Sequence, residues 1–103
     1  MRAELGKAVC ELRRRLEWSQ DHLGYAITRH GGRPRGGNPE TYRLVISRWE
    51  NSTRAPAPVC RMALAKIAAN HGHEDLARVF RKSIAHWRAA VARRDEKPEL
   101  ELK

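Results

Sequence analysis

The chain has 103 residues and a formal net charge of +9, with 41% hydrophobic and 32% charged residues. That length builds one small domain with a modest core. The chain has neither the run of about 18 apolar residues that a membrane span needs nor the basic start and apolar stretch of a secretory signal. Cys10 and Cys60 stand far apart and outside any CxxC pattern, which excludes a disulfide framework and a structural zinc site. The cytoplasm is the expected compartment, with no membrane association, and a large polyanion is the expected partner of so basic a chain.

In chain order, Leu5, Ala8, Val9, Leu12 and Leu16 recur at helical spacing and predict a first helix over about 3–17. Ser19 is placed to cap a second helix over 19–29, with Leu23, Ala26 and Ile27 inward. Residues 30–38, from His30 to Asn38, are too rich in Gly and Pro for regular structure and read as a loop. Asn38-Pro39 then opens a third helix, 39–50, whose buried face carries Val45, Ile46 and Trp49. A fourth helix, 58–70, begins after Ala57, turns Cys60, Ala63, Leu64, Ile67 and Ala68 inward and ends before Gly72. Leu76, Phe80, Ile84, Trp87 and Val91 form the sustained stripe of a long last helix, 74–94, and 95–103 read as a flexible tail. No strand pattern interrupts the series. The expected class is all-α: one five-helix domain over 1–94 with a lengthened last helix.

The charge is unevenly placed. In residues 28–54 every basic residue is arginine (Arg29, Arg33, Arg35, Arg43, Arg48, Arg54), opposed only by Glu40 and Glu50. Arginine suits bidentate contacts to phosphate and guanine, so this stretch is the one expected to meet nucleic acid.

Within this frame stand Leu12-Arg13 late in the first helix and Ser19-Gln20 opening the second. Ile46-Ser47-Arg48-Trp49-Glu50-Asn51 then close the third, and Pro56 follows. The ordered set resembles the phage-repressor family of helix-turn-helix DNA-binding proteins, the Cro and C-repressor (xenobiotic-response-element) group, over about three quarters of the chain. The resemblance implies that the second helix crosses the phosphate backbone and the third lies in the major groove. With Ile46 and Trp49 inward, Tyr42, Arg43, Leu44, Ser47 and Arg48 are the expected base readers, Tyr42 serving equally well as a phosphate contact. Arg43 and Arg48 stand at family base-contacting positions. By the same resemblance Gln20 touches phosphate and braces the recognition helix, and Arg13 and Glu50 form an ion pair linking the first helix to the end of the third. Asn51, Thr53 and Arg54 follow the recognition helix and are expected to hold phosphates, fixing register without reading sequence.

Three features depart from the family pattern. Gln20 and Glu50 are 30 positions apart, against about 18 in the family, so roughly a dozen residues have entered the turn. Gly24 stands where the family usually has Ala, and Ser52 where it usually has Gly. An insertion at a surface loop costs little closure entropy, so the two helices still dock. Gly32-Arg33-Pro34-Arg35-Gly36 is similar to the core of an AT-hook, and three readings stay open for Arg33 and Arg35: insertion into an A·T-rich minor groove, contact with phosphate, or a free loop.

His71 and His73 are close in sequence but have no further ligand nearby and read as a helix terminus; no metal and no cofactor are expected. No triad order, phosphate-binding glycine loop or carboxylate pair indicates an enzyme. The expected function is a sequence-specific double-stranded DNA-binding transcriptional repressor. It would act as a homodimer on a palindromic operator, with Ile84, Trp87 and Val91 at the dimer contact. Two other readings share these features: an antitoxin or adaptor that binds a protein partner through its last helix and autoregulates its operon, and an RNA-binding accessory protein.

Overall fold

Five helices form in the expected order: α1 (Arg2–Leu16), α2 (Gln20–Arg29), α3 (Pro39–Glu50), α4 (Pro58–Asn70) and α5 (Glu74–Leu102). The computed structural model describes residues 2–34 and 39–102, and at 2, 39, 40, 87, 91 and 93–102 only the backbone is described. Among the described residues there is no strand, and no helix is long and apolar enough to cross a membrane. Four of the five helices keep their expected bounds to within a residue. The exception is α5, which continues past the expected end at Arg94 to Leu102, so the stretch expected to be a flexible tail is helical. Its Glu, Lys and Leu residues favour the helix, and Pro98 fixes φ at a helical value while removing one backbone bond.

The predicted stripes meet in one core. Leu5, Val9 and Leu12 of α1 pack with Leu23 and Ile27 of α2, Ile46 and Trp49 of α3, Leu64 and Ile67 of α4, and Phe80 of α5. At the margin, Trp18 stacks on His22 with ring centroids 4.3 Å apart and meets the edge of His71 at 5.4 Å. His71 is the C-cap of α4, the terminal role expected of it. On the outer face the Arg15 guanidinium donates to both carboxylate oxygens of Asp75 at 2.9 Å, tying α1 to α5 and holding the Asp75 carboxyl below its usual range. Not all of the positive excess is free for a partner. Half-buried Arg61 donates to the carbonyls of Pro56 at 2.8 Å and Ser83 at 3.3 Å, clamping the turn before α4 to α5.

The first four helices end in the same way. After α3, the amide of Ser52 donates to the Trp49 carbonyl at 3.1 Å and that of Thr53 to the Arg48 carbonyl at 3.0 Å, the paired bonds of a Schellman cap. Glu17, Gly31 and Gly72 occupy the equivalent position after α1, α2 and α4. The cap requires a left-handed residue, and all four comply, with φ of 57° at Glu17, 90° at Gly31, 62° at Ser52 and 79° at Gly72. Ser52, whose place the family pattern gives to glycine, thus keeps the cap with a side chain that strains it. Ser52→Gly is expected to raise stability by about 0.5–1 kcal/mol, the relief of the left-handed strain less glycine's larger unfolded-state entropy. The shift in a urea denaturation midpoint measures it.

Two close approaches set how the helices cross. A Cβ at Gly6 would stand 2.6 Å from the Trp49 carbonyl oxygen and 2.7 Å from Ser52 Oγ, so α1 lies directly on the end of α3. A Cβ at Gly24 would stand 2.6 to 2.7 Å from Tyr42 Cβ, Cγ and Cδ2, so α2 lies directly on the tyrosine ring.

Candidate nucleic-acid interface

The start of α2 and the end of α3 are joined by three side chains. Arg13 Nε donates to Glu50 Oε2 at 2.6 Å and Arg13 Nη2 to Glu50 Oε1 at 3.1 Å, a bidentate pair. Gln20 Nε2 donates to Glu50 Oε1 at 3.2 Å. Arg13 also reaches the Trp18 carbonyl at 3.3 Å, so the same guanidinium holds the turn between α1 and α2. The hydrogen bond and charge of Glu50 raise the Arg13 pKa against the opposing effect of burial. The expected ion pair is therefore present, and Gln20 braces it through Glu50. At the other end of the same two helices, the Thr28 and Tyr42 hydroxyls are hydrogen-bonded at 2.8 Å. Thus α3 is anchored to α2 near both of its ends.

This anchoring corrects the expectation for Tyr42. It is 2% exposed and belongs to the buried stripe with Val45, Ile46 and Trp49, from which it is separated by 3, 4 and 7 positions. At helical spacing those separations place it on the inner face, so Tyr42 reads neither bases nor phosphate. Its ring packs on Gly24 and meets Tyr25 edge-on, with centroids 5.2 Å apart.

The outer face of α3 carries Leu44, 51% exposed, and Ser47, half-buried, with exposed Asn51 just beyond the helix end. Asn51 Nδ2 donates to Ser47 Oγ at 3.4 Å. Arg43 and Arg48 flank this strip on opposite edges, because five residues on a helix turn through about 140°. Arg43 shares a concavity of about 470 Å³ with Arg13, Ser19, Gln20 and Asp21. Arg48, on the other edge, lines a cleft of about 220 Å³ with Arg33, Arg54, Ala57 and Cys60. Thr53, expected at phosphate, has its hydroxyl on the Arg48 carbonyl at 3.0 Å. Among the described residues Arg33, Arg43, Arg48 and Arg54 make no ion pair, whereas Arg13, Arg14, Arg15 and Arg81 do. Four guanidinium groups without an ion pair thus stand around α3, while Arg29, Arg61, Arg78 and Arg88, which also make none among the described residues, lie on the other helices.

The inserted segment is not free where it leaves α2. Gly32 and Pro34 are buried, and a Cβ at Gly32 would meet Ile27 Cγ2 at 2.5 Å and Ala63 Cβ at 3.4 Å. The Arg33 backbone lies beside the Cys60 thiol in a shared cleft, where its N–H works against the burial that pushes the thiol up. Residues 32–34 thus pack back onto α2 and α4 and leave the Arg33 side chain exposed. Arg35 lies outside the described residues.

Of the residues expected at the dimer contact, Ile84 is 8% exposed within the single chain, where it lies between α5 and α4 and lines the groove between them with Met62 and Arg88. The side chains of Trp87 and Val91 lie outside what the structure describes. Among the described side chains of α5, none beyond Ile84 is buried. Sequence reasoning missed Gly6 and Gly24 as contact residues and Cys60 as a wall of the cleft that Arg33 lines, because a glycine or a cysteine carries no periodic signal of what it touches. Compared with known proteins, the chain matches no family model, no curated protein and no solved structure.

Proposed function

We propose that the chain is a sequence-specific double-stranded DNA-binding regulator, a repressor, that lays the exposed strip of α3 in the major groove. The observation that carries this reading is the placement of Arg43 and Arg48, neither in an ion pair, on the two edges of the outer face of a helix anchored to α2 near both of its ends. A major groove admits one α-helix, and arginine at its edge donates two hydrogen bonds to guanine. In this reading Arg43 reads a guanine, Leu44 packs on a thymine methyl, and Ser47 and Asn51 contact what lies between. Gln20 and the first turn of α2 face the phosphates on one side, and Arg54 those on the other. A homodimer would place two copies of α3 about 34 Å apart on a palindrome, joined through the part of α5 beyond Ile84.

Enrichment of random duplexes by the purified protein tests the proposal. The expected product is a palindrome whose half-sites contain a guanine that depends on Arg43. Arg43→Ala should weaken the enriched site about tenfold and relax one base position in each half. Arg54→Ala should weaken enriched and random duplexes alike and lower the slope of binding against salt by about one. Enrichment of no duplex sequence, or tighter binding to RNA than to any duplex, would overturn the reading.

A further inference from the structure

The cleft on the far edge of α3 is assembled from three separate parts of the chain: the insertion at Arg33, the last turn of α3 at Arg48, and the turn before α4 at Arg54. Its remaining wall is Val45, Trp49, Ala55, Ala57 and Cys60, so among the described residues no carboxylate lines it. Ala57 is the N-cap of α4 and makes no side-chain cap, which leaves the positive end of the α4 dipole toward the cleft without an acidic neighbour. Burial pushes the Cys60 thiol up, so that wall stays neutral. Three like charges around one concavity repel each other, and here nothing among the described residues offsets them. The position of Arg33 is nevertheless fixed by its buried neighbours Gly32 and Pro34 and by the Gly32 amide, which donates to the Ile27 carbonyl at 2.9 Å. The insertion therefore delivers a guanidinium to this place instead of carrying it away into solvent.

We propose that the cleft formed by Arg33, Arg48 and Arg54 against the first turn of α4 is an anion site that takes a phosphate group. Planar guanidinium forks donate in pairs to the oxygens of a tetrahedral phosphate, and the uncapped helix turn adds backbone N–H groups directed the same way. The phosphate is either a phosphodiester of the duplex backbone or the phosphate of a free small molecule. The site does not rest on the duplex reading above, because its geometry and charge are complete within one chain.

The test is a titration of the full-length protein with inorganic phosphate against chloride at constant ionic strength, followed by the amide signals of Arg54, Ala55, Ala57, Val59 and Cys60 and the arginine Nε signals. Saturable shifts specific to phosphate are expected. Arg33→Gln and Arg54→Gln should each weaken binding about tenfold, the loss of one charge-assisted hydrogen bond, whereas Arg78→Gln on α5 removes the same charge without effect. Shifts that follow ionic strength whatever the anion, or an equal loss in all three variants, would overturn the site. Adding the enriched duplex then separates the two sources. Release of phosphate assigns the site to a backbone phosphodiester, and phosphate retained in the duplex complex assigns it to a free phosphorylated ligand. Phosphate saturation without any duplex binding would sink the regulator reading and leave this site standing. Duplex binding without phosphate saturation would do the reverse.

Discussion

Glu50→Ala is expected to lower the folding free energy by about 3 kcal/mol, between the small worth of an exposed pair and the larger loss from a fully buried one. The side chains of Arg13 and Glu50 are 25% and 10% exposed, so removal of the carboxylate leaves a partly desolvated guanidinium without its bidentate acceptor. Gln20 loses its acceptor in the same step, and α1, α2 and the end of α3 lose their common tie. Glu50→Gln retains one acceptor oxygen and should lose less. Denaturant midpoints for the two variants check this, and equal stability of Glu50→Ala and the parent would mean that the pair contributes nothing. Duplex binding by Glu50→Ala should fall by more than its unfolded fraction explains, since α3 would no longer be anchored at its C-terminal end.

Gly24→Ala should cost about 2 kcal/mol even though alanine is the better helix former by about 1 kcal/mol. The new methyl would stand 2.6 Å from Tyr42 Cβ and 2.7 Å from two atoms of its ring, and a Cβ is not the far end of a flexible side chain that can swing aside. Relief requires α2 and α3 to separate, which stretches the Thr28 to Tyr42 hydrogen bond at the same contact. Tyr42→Ala removes the ring but leaves its Cβ, so the double variant should be less unstable than the two single losses summed, with a coupling of about 1 kcal/mol. Strict additivity, measured by thermal or urea unfolding, would mean that the two residues do not press on each other. The contact gives a physical reason for glycine at residue 24: a tyrosine at residue 42 occupies the space that a Cβ would fill.

How much of this was legible beforehand follows from where each signal resides. The stripe Leu5, Val9, Leu12 and the cap Ser19 depend on residues within a turn or two of each other, so the five helices could be read from the chain alone, and their inward faces are the buried ones. The Arg13–Glu50 pair was expected only through the resemblance, since 37 positions separate the two and nothing local joins them. Tyr42 shows the opposite case: it precedes Val45, Ile46 and Trp49 by 3, 4 and 7 positions, so spacing alone already places it on the buried stripe. The end of α5 at Leu102 in place of Arg94 reflects how weakly charged residues mark a helix end when good helix formers follow.

By itself, then, the sequence determined the class, the order of the helices, the face each buries and the arginine-rich stretch around α3, because periodicity, capping and charge are properties of neighbours along the chain. Only the tertiary structure decided that Gly6 and Gly24 are crossing points, that Ile84 is covered by α4, and that Arg33 of the insertion meets Arg48 and Arg54 beside Cys60. Those facts depend on which faces meet across distant parts of the chain. That choice is made by packing the whole core at once, which no single segment encodes.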